Sequence, residues 1–127
     1  MKRMFVIAFI MAAWPVIAAE HGAEAAGPAP MQFVVNVGDS VATMSILQIA
    51  IVLECATPEA EHRLTVIKPK VQHRLILLLS GEEVASLQTT KGKQELQERI
   101  IKEMNGLLDE TVETGVKEVF FTSFIIQ

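Results

Sequence analysis

The sequence predicts a small α/β domain of the α+β kind, in the element order ββα(α)αβ, and three observations support this fold class. The chain ends on the β-rich, apolar segment 115–127, which must pair inside a sheet because it lacks the polar character of a free tail. Two further strand-like segments lie within residues 31–54. Between these regions, residues 57–108 carry apolar side chains at helical spacing. We therefore expect a small sheet packed against helices.

The first 19 residues have the pattern of an export segment. Lys2 and Arg3 precede an apolar run that continues to Ala19 and ends in small residues. The run is shorter than the roughly 20 residues that a membrane-spanning helix needs. The pattern therefore favours a cleavable signal peptide over residues 1–19, with a membrane anchor as the alternative. In both cases the rest of the chain is delivered across a membrane.

Residues 20–30 are small, contain proline and lack periodicity, so we predict a flexible spacer before a domain over 31–127. Within the domain, 31–37 is predicted as the first strand, Gly38–Ser40 as a turn and 41–54 as the second strand. The two strands are expected to form a hairpin. Both alternating faces of the second strand are mostly apolar, which predicts a strand covered on both sides.

The helical region divides at proline and turn signals. Thr57 is expected to cap the first helix, and Pro69 to kink or divide it. Ser80–Glu83 has the spacing of a capping box and predicts a short turn of helix, and Thr90 is expected to cap a last helix ending near Leu108. Two apolar stripes should face the core: Leu64, Ile67, Val71, Leu75 and Leu78, then Leu96, Ile100, Met104 and Leu107.

Charge and cysteine content exclude some function classes. The chain has 11 basic and 15 acidic residues, and loss of residues 1–19 would leave nine basic residues (11 − 2) against the same 15 acidic ones. Nucleic acid is not an expected partner of so acidic a chain. Cys55 is the only cysteine, so no disulfide can form within the chain. A buried thiol is the favoured interpretation of Cys55, and an intermolecular bridge is the alternative.

The sequence lacks the residue patterns of common enzymes. It has no tyrosine, the segment Gly38–Ser40 lacks the glycines of a nucleophile elbow, and Lys93 does not belong to a P-loop. His62 and His73 lie about three helical turns apart, which is too far for one metal ion to bridge. We therefore predict no catalytic, cofactor-binding or metal-ligating residue.

One candidate contact surface is basic. Lys68, Lys70 and Arg74 concentrate positive charge near the predicted break at Pro69, in an otherwise acidic domain. A run of this kind is either a solvated face or a docking patch for an acidic partner or for lipid headgroups.

The other candidate surface is the closing strand. Alternation predicts three apolar side chains on each of its faces: Val119, Phe121 and Ile125 on one, and Phe120, Phe124 and Ile126 on the other. Helices can cover only one face of so small a sheet. The second face is therefore either closed by the spacer and the first strand or in contact with another protein chain.

Several short motifs resemble a known family when they are taken together. They comprise Leu77–Ser80, Leu87, Thr89, Gly92, Lys93, Glu95, Leu96, Ile100 and Asn105, followed by the terminal strand with Phe121, Thr122, Phe124 and Gln127. In order, spacing and position at the end of the chain they resemble the C-terminal domain of the FliL-type flagellar basal-body-associated proteins. The similarity runs from about Gln32 to Gln127.

The resemblance implies a stomatin- or SPFH-like domain on the periplasmic side of the inner membrane, beside the flagellar stator. It implies homo-oligomeric rings, contacts with motor and stator proteins, and support of swimming, swarming and chemotaxis, without enzyme activity or cofactor. Family members usually carry a full transmembrane helix, whereas residues 1–19 resemble a cleavable signal, so a soluble periplasmic paralogue is an alternative. The competing function is a periplasmic scaffold or ligand-binding module unrelated to motility.

Overall fold

A computed structural model describes residues 28–127, so the predicted export segment and the spacer up to residue 27 lie outside the described residues. The described chain is a mixed α/β fold, and the predicted order of strands and helices is confirmed. Its elements are β1 (Met31–Val37), β2 (Ser45–Cys55), α1 (Pro58–Val66), α2 (Lys68–Ser80), α3 (Val84–Leu87), α4 (Thr90–Leu108) and β3 (Val116–Ile126).

The three strands form one antiparallel sheet in the order β1-β2-β3. The predicted hairpin is confirmed, with Met31 opposite Ile51 at one end and Val37 opposite Ser45 at the other. The second strand begins at Ser45 rather than at Val41, because the intervening residues extend the turn. The Thr43 N–H donates to the Ser40 carbonyl at 3.0 Å within that turn.

The second face of β2 is less covered than the alternation predicted. Leu47, Ile49, Ile51 and Leu53 are buried against the helices as expected. On the opposite face Ala50 is buried and Val52 is half-buried, but Ile46 is exposed and no element of residues 28–127 lies over the strand. That face of β2 is apolar without being covered by the described chain, which corrects the prediction.

The first two helices follow the proline signals. The Thr57 hydroxyl accepts a hydrogen bond from the Ala60 N–H at 3.1 Å, which caps α1, and Pro58 occupies the first turn, where a missing N–H is tolerated. The helix ends before Ile67, and α2 begins at Lys68 with Pro69 in its first turn. The predicted division at Pro69 is therefore confirmed.

The last two helices differ from the predicted caps. Ser80 is the last residue of α2 and not the cap of α3, which begins after Glu83 without a side-chain hydrogen bond. The cap of α4 is Thr89 instead of Thr90. The predicted α4 stripe is confirmed at Leu96, Ile100 and Met104, but Leu108 is buried where Leu107 was expected, and Leu107 is half-buried.

All four helices lie on one face of the sheet. Helix α2 contacts β1, α1 contacts β2 and α4 contacts β3, so the core lies between a helical layer and the inward side chains of the strands. On α2, Val71 and Leu75 are buried as predicted, while Leu79 takes the buried position in place of Leu78. None of the helices in residues 28–127 has the length and apolar content that crossing a membrane requires.

Candidate interaction surfaces

The face of the sheet that the helices leave uncovered carries a group of apolar side chains. We call this surface the open face and define it by Val34, Ile46, Val52, Phe120 and Ile125. The pairing register places Val34 opposite Gln48 and Gln48 opposite Ile125, so one cross-strand row spans all three strands. In the next part of the sheet Val52 lies opposite Phe120.

These side chains are accessible to solvent or to a partner. Val34 is 68 % exposed, Phe120 39 % and Ile125 45 %, which is unusual for residues that proteins normally bury. The first strand is a member of the sheet and does not lie across this face. The prediction that the first strand could close the second face is therefore wrong, and part of the spacer lies outside the described residues.

The faces of the closing strand differ from the predicted alternation. Phe121 lies opposite Ile51 and Phe124 lies opposite Ile49. Two residues lie between the two phenylalanines on β3, but only one lies between the two isoleucines on β2. Thr122 is therefore an extra, bulged residue in β3, and the side chains beyond it change face. Phe124 and Ile126 consequently lie on the helix side, and Ile125 lies on the open face.

Phe124 and Ile126 therefore belong to the core side of the sheet and not to the open face. Both are half-buried and pack against the hydrophobic core. The Phe124 ring lies 5.5 Å from the ring of Phe121, and the Lys93 ammonium lies 4.8 Å from the centre of the Phe124 ring. Of the three aromatic and aliphatic candidates on β3, only Phe120 projects from the open face.

The three basic candidates do not form one patch. Lys70 and Arg74 are four residues apart on α2 and share a face, whereas Lys68 lines a hollow beneath the helix. The Arg74 guanidinium lies 3.2 Å from the Glu103 carboxylate of α4, so part of its charge is already balanced. Within residues 28–127, Lys68 and Lys70 are exposed and form no ion pair.

The hollow beneath α1 and α2 measures about 200 Å³ and is mostly apolar. Cys55 lines it, half-buried at the end of β2. Burial, and to a smaller extent the Glu61 carboxylate, raises the pKa of the Cys55 thiol. The protonated thiol is therefore favoured, and this form is a poor nucleophile.

The two histidines within residues 28–127 are exposed, His62 on α1 and His73 on α2. Within the part of the chain that the structure describes, no group of three or more His, Cys, Asp or Glu side chains is placed to hold a metal ion.

Three residues of the family motif have structural roles. The Thr89 hydroxyl accepts from the Gly92 N–H at 2.9 Å and donates to the Ser86 carbonyl at 3.1 Å, which joins α3 to α4. The buried Asn105 side chain forms two hydrogen bonds with the backbone of Val116, at 2.9 and 2.7 Å. Family resemblance at these positions therefore reflects the fold.

Sequence reasoning missed Val34 and Ile46 as exposed apolar residues. The signal was present in β1, where Phe33, Val35 and Val37 form the more apolar alternating set and leave Val34 facing outward. For Ile46 there was no such signal. Both faces of β2 are apolar, so the sequence does not show which of them packs against the helices.

Comparison with known proteins identifies the family. The sequence model of the family described as "Flagellar basal body-associated protein FliL" matches residues 28–127. "Flagellar protein FliL" of Aquifex aeolicus (strain VF5) is 30% identical over 95 residues, covering 75% of this chain and 56% of that protein. "Flagellar protein FliL" of Escherichia coli (strain K12) is 33% identical over 100 residues, covering 75% of this chain and 60% of that protein.

The chain therefore spans less than two thirds of the length of these relatives, and the matched part is the domain described above. Because the family model covers all of the described residues, the chain belongs to the FliL family of flagellar basal body-associated proteins.

Proposed function

We propose that this protein is a non-enzymatic accessory component of the bacterial flagellar motor. In this proposal it supports stator function, and through it swimming, swarming and chemotaxis, by contact with motor proteins and with further copies of itself. Membership of the FliL family supports a role at the basal body. The observation that carries the mode of action is the open face, an exposed apolar surface on a domain without a recognised reactive site.

The composition of the open face is suited to protein contact. Interface centres are enriched in aromatic residues and are more apolar than the polar rim that surrounds them. Phe120 supplies an aromatic anchor, Val34 and Ile125 supply aliphatic surface, and Gln48 lies between them. An exposed sheet surface of this kind fits a partner that presents its own apolar side chains.

We also propose that the domain acts on the periplasmic side of the inner membrane after export directed by residues 1–19. The basic residues Lys2 and Arg3 and the apolar run that follows support this proposal. The intact mass of the protein isolated from the cell envelope is expected to show the loss of residues up to Ala18 or Ala19. A full-length mass in the membrane fraction would instead establish a single-pass anchor.

Lys70 and Arg74 are proposed as a secondary surface that steers association with an acidic partner. Exposed charges at the rim of a contact mainly affect the rate of association and its dependence on salt. Since Arg74 already pairs with Glu103, we expect this surface to contribute less than the open face. Reversal of both charges should weaken partner capture only at low ionic strength.

The function is tested with a clean deletion and with Phe120→Asp combined with Ile125→Asp. Both side chains are partly exposed, so the variant should keep its circular dichroism spectrum and its cooperative melt. Loss of an aromatic interface anchor costs about 2 kcal/mol or more of binding free energy, about 30-fold in affinity. Swimming in soft agar should therefore fall toward that of the deletion strain.

Val112→Asp is the matched control, because Val112 is 53 % exposed in the loop after α4, away from the open face. Normal swimming by the folded double variant would reject the open face as the working surface. Normal swimming by the full deletion would reject the motor proposal and favour a periplasmic scaffold or ligand-binding module.

A further inference from the structure

The outer side of β1 is an edge that no element of residues 28–127 protects. Among the described strands, β1 pairs with β2 alone, over seven residues and without a register shift. Its sequence, from Met31 to Val37, contains no charged residue, proline or glycine. Proteins normally place such residues, or a bulge, on an edge strand, because an unprotected edge is a template for pairing with another strand.

The other edge of the same sheet is protected in several ways. Strand β3 carries two register shifts and the charged pair Lys117 and Glu118. The Gln97 side chain of α4 also donates to the Val119 carbonyl at 2.7 Å, which occupies a backbone acceptor of β3. The contrast between the two edges indicates that pairing is prevented at β3 and permitted at β1.

The surfaces on both sides of the β1 edge are apolar or neutral. Val34 is exposed on the open face, and Ile76 of α2 is 43 % exposed. Arg74 and Leu78 line the hollow between α2 and α4, so the helical period places Ile76 on the opposite flank of α2, toward β1. The residues on this flank are uncharged: Pro69, Gln72, Ile76 and Ser80.

The sequence of β1 is also nearly symmetric about Val34. Gln32 and Asn36 flank it at equal distance on the open face, and Phe33 and Val35 flank it on the core face. If two copies of β1 pair antiparallel around Val34, Gln32 of one copy lies opposite Asn36 of the other on the open face. On the core face, Phe33 lies opposite Val35. Cross-strand pairs of matched chemistry are those that stabilise an antiparallel sheet.

We propose that two copies of this chain pair through their β1 edges, antiparallel and centred on Val34, to form a continuous six-stranded sheet. This inference rests on the proposed function in one respect, namely that the protein works by assembly, and it assigns a contact that the function alone does not specify. The two-fold contact is self-complementary, since the same edge is used by both copies.

The proposed pairing limits its own growth and enlarges the open face. In the six-stranded sheet both outer edges are β3 strands, which carry the bulges and the charged pair, so further strand addition is disfavoured. The open faces of the two copies then lie side by side, with the two Phe120 side chains on one surface. A motor partner would therefore meet a surface about twice as wide as that of one domain.

The test uses the purified full chain and measures its mass by light scattering in mild detergent. The parent chain of 14.0 kDa should give a dimer of twice that mass. Val34→Lys should give a monomer with an unchanged circular dichroism spectrum, because two lysines would lie directly opposite each other at the dyad. The dissociation constant is expected to rise by about tenfold or more.

Val34→Asp should also be monomeric alone, and an equimolar mixture of the two variants should restore the dimer, because the opposed charges then attract. Val112→Lys is the control for adding a lysine at an exposed valine, and Ile125→Lys is the control for stacking of two open faces. Both should remain dimeric. A parent chain that stays monomeric, or loss of the dimer in Ile125→Lys but not in Val34→Lys, would overturn the edge contact.

Crosslinking gives an independent measurement. In a Cys55→Ser background, Val34→Cys should form a covalent dimer rapidly with a short bismaleimide, because directly opposite Cβ atoms lie about 4.5–5.5 Å apart in an antiparallel pair. Val112→Cys in the same background is the matched control and should crosslink slowly. Equal rates for the two variants would overturn the proposal. None of these outcomes depends on swimming, so failure of the edge contact would leave the motor proposal to be decided by the deletion strain.

Discussion

Gly92→Ala is expected to destabilise the domain strongly, unlike Gly106→Ala, the other glycine-to-alanine substitution in α4. A Cβ atom at Gly92 would lie 1.8 Å from the Ser86 carbonyl oxygen and 2.9 Å from the Thr89 hydroxyl. The first contact is with backbone, so it cannot be relieved by turning a side chain. The α3–α4 junction must move apart, and the hydrogen bond that caps α4 is then weakened or lost.

The expected loss is about 3–5 kcal/mol, from overpacking together with loss of a helix cap. For a domain of this size that corresponds to a decrease in melting temperature of roughly 12 °C or more. Thermal unfolding of the full chain, followed by circular dichroism, measures the change. Natural domains are stable by only about 5–15 kcal/mol, so a loss of this size can leave the variant partly unfolded at growth temperature. That outcome would support the prediction as well as a lowered melting temperature does.

Gly106→Ala is the matched control, because Gly106 lies in the same helix and an added Cβ atom meets nothing within 4 Å. Alanine is favoured over glycine inside a helix, so this variant should gain about 0.5–1 kcal/mol. The same chemical change is therefore expected to have opposite signs at two sites of one helix. Equal effects at both sites would show that the close approach of α3 to α4 is absent.

The junction at Gly92 also shows how far the sequence could define the helices. Proline positions and apolar periodicity predicted the order and approximate bounds of the helices, because these signals are local. The choice between Thr89 and Thr90 as the cap could not be made from residue type, because either threonine can cap a helix. In the structure the Thr89 hydroxyl donates to the Ser86 carbonyl and accepts from the Gly92 N–H, so Thr89 is the cap.

The faces of β3 could not be predicted for a different reason. Strict alternation fails wherever one extra residue enters a strand, and the bulge at Thr122 carries no glycine or proline that would mark it. The strand therefore presents Phe121 and Phe124 to the helices and leaves Phe120 on the open face. The face assigned by alternation is therefore right for Phe120, which precedes the bulge, and wrong for Phe124 and Ile126, which follow it.

The sequence predicted that one face of the sheet would be left uncovered by helices, but not which side chains lie on it. Counting helices against a small sheet indicated that one face would remain to be covered, and the structure shows that no element of residues 28–127 covers it. Which side chains lie on that face depends on the register of three strands, which no local pattern in the sequence determines.

Asn105→Ala is the second substitution for which we expect a large effect, because Asn105 joins the end of α4 to the start of β3. Its side-chain amide donates to the Val116 carbonyl at 2.9 Å, and its side-chain carbonyl accepts from the Val116 N–H at 2.7 Å. Asn105 is buried and Val116 has no exposed surface. Alanine would leave both backbone groups of Val116 without their partner, at about 1–3 kcal/mol for each group.

Asn105→Asp tests whether the two hydrogen bonds, rather than the volume of the side chain, carry this effect. The introduced carboxylate can still accept from the Val116 N–H, but it faces the Val116 carbonyl without a proton to donate. Burial and that opposing carbonyl should raise the pKa of the introduced carboxyl in the folded state above its unfolded value. The folded state then binds a proton more tightly than the unfolded state, so stability falls as pH rises through the unfolded and then the folded pKa.

Denaturant unfolding of the full chain at acidic and neutral pH measures this difference. Asn105→Asp should be less stable than the parent at neutral pH and should recover part of the loss at acidic pH, where a protonated carboxyl can both donate and accept. Asn105→Ala should lose about the same free energy, relative to the parent, at both pH values, because alanine does not titrate. A loss in Asn105→Asp that did not change with pH would mean that the Val116 backbone finds other partners, and that the register of β3 does not depend on this side chain.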